Sequence, residues 1–382
     1  MRGYREVLRG PFARVWAALV VSHIGENAGY IALLWVAAKH GGGTSAVGVL
    51  AAAVALPAVA SGAFAGVVLD RLPRPLVIAL DNSGRAILYA LLALVAAAPH
   101  FSLPAAAALV AAASLLSPLS QAGVQSLVPD VVPPEHRGRA NAAVTGLWQL
   151  RFLVGPAIGG LLTARYGPVV PIALQAVGYA IAALVVATVC VSATDMAPED
   201  HTSPWDGALL LLRSPDIRAI ALFSLVFALV NAPFQVVLPQ FVSHDLHQSA
   251  AIYGSLWAAV AVGALVGTAI AGTLPRLRRF GLWLAAEFLL LGITQALLGE
   301  ARTAGLAFVA VSAAGFVYAP YETWTATYIQ QVVPGRLLGR VFGTYTALLG
   351  VGLPIGALLT GALASAIGSR ALLAGSGAAD RC

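Results

Sequence analysis

Long apolar stretches alternate with short polar ones along the whole chain, and the apolar stretches have the length of membrane spans. They run over about residues 15–38, 46–69, 75–98, 104–128, 141–163, 169–191, 219–242, 251–274, 281–299, 304–328 and 341–366. A helix of roughly 20 residues, rising about 1.5 Å per residue, crosses a hydrocarbon core of about 30 Å. Eleven membrane helices are therefore predicted. A twelfth is expected after Arg370, but Ala371 to Ala379 offers only weakly apolar residues, enough for about 14 Å of helix. The last span is expected to be short or missing, in an otherwise all-α membrane protein.

Composition supports this pattern. Of 382 residues, 59% are hydrophobic and 10% charged, against about 45–50% and 25% in a soluble domain, and the mean hydropathy is +0.85. So little polar surface does not cover a protein folded in water, whereas a lipid bilayer removes the need. The net charge of +6 is scattered between apolar runs rather than gathered on one face with aromatics, which argues against a nucleic-acid partner. Cys190 and Cys382 have neither metal-ligand spacing nor a disulfide framework, so no metal site is expected. No glycine-rich phosphate loop with Lys and Ser/Thr occurs, so neither an ATP site nor another cofactor is expected. The apolar run after Arg14 exceeds the core of a cleavable signal peptide, and the first helix is expected to insert the chain.

Basic residues orient the spans, because Lys and Arg are retained in cytoplasmic loops. With the N-terminus inside, sixteen of the 22 Lys and Arg fall in inner segments, and only Lys39, Arg165, Arg302 and Arg370 fall in outer ones. A cytoplasmic N-terminus in the cell membrane is the expectation. The longest hydrophilic stretch, Ser192 to Arg218, then lies inside. It divides the chain into an N-terminal six-helix half (1–191), a cytoplasmic linker (192–218) and a C-terminal half (219–382) with five full spans and the vestigial twelfth.

The halves are related at an offset of 201 residues. Val131-Val132-Pro133 aligns with Val332-Val333-Pro334, Gly138-Arg139 with Gly339-Arg340, and Gly62, Gly66, Gly155, Gly160 and Gly167 with Gly263, Gly267, Gly356, Gly361 and Gly368. Six spans separate the equivalents, so both halves enter the membrane the same way. Such parallel repeats characterise secondary transporters whose halves rock about a central site.

Two motifs sharpen the reading. The loop after span two runs Gly66-Val67-Val68-Leu69-Asp70-Arg71-Leu72-Pro73-Arg74, and span five carries Gly155-Pro156-Ala157-Ile158-Gly159-Gly160. With these, the chain resembles the major facilitator superfamily over nearly its whole length, and most of all its drug:proton antiporter branch of macrolide and siderophore exporters. The resemblance implies two pseudo-symmetric six-helix halves with spans one, four, seven and ten around the cavity. It also implies a conformational latch at Gly66, Asp70, Arg71 and Arg74 and an antiporter-like motif at Gly155, Pro156, Gly159 and Gly160. Glycines in such motifs let helix backbones approach closely and slide. The chain departs from the branch twice: Arg151 stands where a glycine usually precedes the span-five motif, and span four, over Ser114 to Val128, has no embedded arginine.

Charges at membrane depth are costly and mark pathways or pairs. Glu26 lies near the middle of span one, which the resemblance places at the cavity, and is the expected proton-coupling group. Arg151 lies at similar depth in span five and needs an anionic partner, for which Glu26 is the nearest candidate. Span ten gathers Tyr318, Pro320, Tyr321, Glu322 and Trp324, aromatic faces beside an acid that suit an amphipathic, often cationic organic substrate. In span seven Asn231 and Gln235 share one face, and Trp148 and Gln149 are further candidates. Asp81 and Arg85, at i and i+4 in span three, are expected to form a structural ion pair, and Glu287 in span nine a structural charge. His244 and His247 fall in an outer loop.

Together these features predict a non-enzymatic, proton-coupled exporter of small amphipathic organic compounds, working by alternating access, with the proton gradient in place of a cofactor. The alternatives are an importer of a nutrient or metabolite with the same fold, or a transport-inactive truncated membrane protein.

Overall fold

A computed structural model describes residues 11–40, 42–133, 136–189, 215–271, 280–332, 350–364, 366, 368 and 371–373. Its elements are helices: α1 (Pro11–His40), α2 (Thr44–Arg71), α3 (Arg74–Ala97), α4 (Leu103–Val131), α5 (Arg137–Tyr166), α6 (Val169–Ala187), α7 (Pro215–Gln240), α8 (Ala250–Ala271), α9 (Phe280–Gly299), α10 (Ala304–Val332) and α11 (Gly350–Ala364). A π-turn, Phe241–Asp245, extends α7. Among the described residues no strand occurs. Helices are what hydrocarbon demands, because each backbone N–H and C=O must find its partner within the segment. Eight described helices are long and apolar enough to cross a membrane, and Ala304–Ala319 and Gly350–Ala364 are shorter apolar ones.

Breaks between helices follow local chemistry. Pro73 caps α3 with φ −55°, where its missing N–H costs nothing. Gly167 ends α5 at φ +82°, and its N–H reaches the Thr163 carbonyl at 3.0 Å. Gly368 does the same after α11, with φ +82° and a 3.0 Å bond to the Ala364 carbonyl. Only glycine adopts that left-handed conformation without strain, so the two equivalents at offset 201 perform one structural task.

The chain divides into two compact units, Met1–Gly41 with Leu56–Pro198, and Gly42–Ala55 with Glu199–Cys382. In the first, α3 packs on α4 and α6, and α1 packs on α5 and α6. Val15, Leu19, Ile78, Val124, Leu127, Leu147 and Val186 form an apolar core there. In the second, α10 packs on α8 and α9, and Ser45 Oγ in the opening turn of α2 donates to the Gly361 carbonyl at 2.6 Å. Leu80, Ile87, Leu94, Leu161 and Leu184 are exposed on helix exteriors, as surfaces facing lipid would be. Of the stretch Ser192 to Arg218, residues up to 214 lie outside the described set; so does the tail after residue 373, while 371–373 are helical.

Candidate functional site

The interior of the first unit holds a cluster of charges contributed by three helices. Glu26 sits midway along α1, Asp81 and Arg85 on α3, and Arg151 midway along α5. Arg85 Nη2 donates to Glu26 Oε1 at 2.9 Å and also to the Tyr179 hydroxyl, and its guanidinium lies 4.1 Å from the centroid of the Tyr179 ring. Arg151 Nη1 approaches the other carboxylate oxygen, Oε2, at 3.5 Å, and His23 Nδ1 lies 3.0 Å from that same atom. The side chains of Arg85, Arg151 and Glu26 are 8%, 16% and 26% exposed, so their charges are compensated mainly by one another. Among the described residues, two guanidiniums, which stay charged, share this interior with two carboxyls.

Asp81 is the second carboxyl, and it corrects the expected ion pair with Arg85. Among the described residues the two form no salt bridge; Asp81 Oδ2 accepts a hydrogen bond from Ser120 of α4, and Asn82 Nδ2 donates to the same hydroxyl at 2.8 Å. An i, i+4 pair on an isolated helix has only water as a competitor. Here α4 offers Asp81 a hydroxyl donor, while α1 and α6 offer Arg85 a carboxylate and a phenol, and the longer guanidinium reaches them.

This charged group opens onto a cavity of about 250 Å³ whose walls include Glu26, Arg85 and Arg151 together with Asn82, Ser117 and Gln121. The position of Arg151 follows from the span-five motif. Gly155, Pro156, Gly159 and Gly160 are buried, and Gly155 and Gly159 press α5 against α1. A Cβ on Gly159 would lie 2.4 Å from the Ala28 carbonyl oxygen, and one on Gly155 would lie 2.6 Å from Asn27 Cβ. That approach, one turn beyond Arg151, brings the guanidinium within reach of Glu26. The contact joins two helices of the same unit.

The second unit places the other candidates in an aromatic setting. Phe227 of α7 stacks on Tyr318 at 5.3 Å and on Tyr321 at 5.4 Å, and Phe223 and Phe288 complete the group. The buried Tyr321 hydroxyl lies 2.5 Å from Ser224 Oγ. Gln295 of α9 donates to Asn231 Oδ1 at 3.2 Å, and Phe227, Asn231, Leu291 and Gln295 border a cavity of about 10 Å³, the space of one water molecule. Gln235 is half-buried and does not border it. The side chains of Pro320, Glu322, Trp324, Trp148 and Gln149 lie outside the described residues, as do those of the latch positions Gly66 and Asp70. Arg71 is exposed at the end of α2, and Arg74 opens α3 half-buried.

Sequence reasoning passed over His23, Asn82, Ser120 and Tyr179. Only His23 had a local signal, its i, i+3 spacing from Glu26; the others reach the site through helix pairings that no spacing encodes.

Residues 15–357 match the family model of the Major Facilitator Superfamily. The chain belongs to that superfamily. It is a multi-pass membrane protein of a transporter family and not an enzyme. Similar proteins include the multidrug efflux pump Tap of Mycolicibacterium fortuitum, 24% identical over 95% of this chain and 91% of that protein. Another is the enterobactin exporter EntS of Escherichia coli O1:K1, 30% identical over 78% of this chain and 72% of that protein. Among solved structures, the nucleoside transporter NupG superposes with a TM-score of 0.77 at 12% identity, covering 98% of this chain and 97% of that one. A bacterial homologue of the human lysosomal transporter Spinster gives 0.74 at 15% identity, covering 94% and 84%. These structural likenesses establish the superfamily fold.

Proposed function

We propose that this superfamily member is a proton-coupled exporter of small amphipathic organic compounds. It works by alternating access in the cell membrane, with its N-terminus in the cytoplasm and the proton gradient as its energy source. The observation that carries this reading is Glu26, held by Arg85, Arg151 and His23 at the edge of a cavity. A proton arriving on Glu26 cancels one of the two negative charges that face two buried guanidiniums. Arg85 and Arg151 then lose most of the attraction that holds them toward α1, and any conformation that hydrates them gains relative to this one. Proton binding is thus converted into a shift of a conformational equilibrium. The names of the relatives, an efflux pump and an exporter, support the outward direction. The aromatic group around Phe227, Tyr318 and Tyr321 supports an amphipathic substrate, since it offers ring faces rather than a fixed polar code. The driving force suffices: one charge crossing 100 mV is worth about 2.3 kcal/mol, roughly a fifty-fold gradient.

The test is a dye screen in inverted membrane vesicles acidified inside, wild type beside Glu26→Gln. Accumulation of dyes such as ethidium by the wild type, lost in Glu26→Gln, is expected. Gradient-driven movement in the opposite direction, or movement unaffected by the substitution, contradicts the reading.

A further inference from the structure

The second unit contains a carboxyl of the opposite design. Glu287 of α9 is 6% exposed, and among the described residues neither of its oxygens has a hydrogen-bond partner. Among the described residues no cation pairs with it. It lies on the buried face of α9 with Leu291, Thr294, Gln295 and Leu298, a spacing that places all five on one side of the helix. That helix packs on α10 and meets α7, where Phe288 touches Phe223 at 4.3 Å and Gln295 bonds to Asn231. The described polar groups on these faces are uncharged: Ser224 and Asn231 on α7, Tyr318 and Tyr321 on α10. The remaining titratable group on the middle of α10 is Glu322, whose side chain lies outside the described residues. Glu26 faces three nitrogen groups, two of them permanently cationic, and has His23, Asp81, Arg85, Tyr89, Arg151 and Tyr179 around it. Glu287 faces none.

An ionised carboxylate buried without a donor or counter-charge is among the most expensive groups a protein interior holds, and it takes up a proton instead. We propose that Glu287 is a second proton-binding site. It holds its proton as the neutral acid in this conformation and releases it to water in a conformation that opens the buried face of α9. In that step the O–H bond breaks, its electron pair stays on the carboxylate, and the proton passes to a water molecule. The water-sized cavity at Leu291, Asn231 and Gln295 lies one to two turns along the same face, so wetting of this face has a starting point. Its part in transport rests on the proton-coupled reading above; its protonation does not.

Two measurements separate these layers. Infrared spectroscopy of the purified protein in lipid at neutral pH, wild type minus Glu287→Gln, is expected to contain the carbonyl stretch of a protonated carboxyl. A difference spectrum carrying only carboxylate bands overturns the proposal. In reconstituted vesicles with ethidium as probe, Glu287→Gln is expected to lose gradient-driven accumulation and keep energy-independent exchange of the dye. Undiminished gradient-driven accumulation also overturns the proposed role. A wild type that moves no dye under any gradient defeats the export reading instead, and the infrared band then decides the protonation of Glu287 alone.

Discussion

Arg85 and Arg151 share one carboxylate, Glu26, and this sharing makes the consequences of substitution unequal. Glu26→Gln keeps the shape but leaves two guanidiniums facing each other across an amide, and breaking a buried pair in this way costs about 3–5 kcal/mol when compensation is lost entirely. Asp81 and the Tyr179 ring soften that loss. Glu26→Gln is therefore expected to lower the unfolding temperature in detergent, and Glu26→Gln with Arg151→Gln to recover part of it, with a coupling on the order of 0.5–3 kcal/mol. Strictly additive effects in a thermal-shift double-mutant cycle would contradict this geometry. Tyr179→Phe keeps the ring against Arg85 and removes the hydroxyl acceptor, so a smaller destabilisation, roughly 1–3 kcal/mol, is expected in the same assay. At this scale the sequence was half legible. Glu26 and Arg151 stand out because unmatched charges within apolar runs are conspicuous. The partner of Arg85 was not visible, because depth along a helix can be counted but its azimuth toward neighbouring helices cannot.

Helix packing carries the next set of consequences. At Gly159 a side chain would have to displace the Ala28 backbone, since a Cβ there falls 2.4 Å from its carbonyl oxygen. Gly159→Val is thus expected to prise α5 from α1, destabilise the protein by at least 1–3 kcal/mol as overpacking does, and lengthen the reach from Arg151 to Glu26. Gly62 on α2 is the control. It has no atom within 4 Å of a built Cβ, so Gly62→Ala is expected to be neutral or to stabilise by up to about 1 kcal/mol through helix propensity. Equal losses at both positions in a melting assay would mean that backbone approach is not what Gly159 serves. The elements themselves were legible nearly to their ends: 104–128 became Leu103–Val131 and 281–299 became Phe280–Gly299. Hydrocarbon imposes helices on any long apolar stretch. Which helices touch was not legible, because small residues that permit close approach occur on several faces of each span, and 39 glycines give too many candidates.

At the scale of the molecule, the repeat read at an offset of 201 residues reappears as physical equivalence. Gly167 and Gly368 share a φ of +82° and one hydrogen-bond pattern. Gly155 fits against α1, and Gly356 fits against α7, where its Cβ would meet Ala232 and Leu229. Among the described residues the charged interior does not repeat. The first unit compensates Glu26 with two arginines, whereas the second surrounds Tyr318 and Tyr321 with phenylalanines and offers Glu287 no described partner. The two units thus carry unlike described interiors on related scaffolds, one charged and one aromatic, an asymmetry no composition figure could have disclosed. The central claim is that protonation of Glu26 couples the gradient to transport. It is tested most directly in vesicles containing purified protein, by measuring dye movement with and without an imposed pH gradient. Glu26→Gln is predicted to exchange dye across the membrane when no gradient is present, and to gain nothing when one is imposed. A variant that still concentrates dye under the gradient to the wild-type level would contradict the claim.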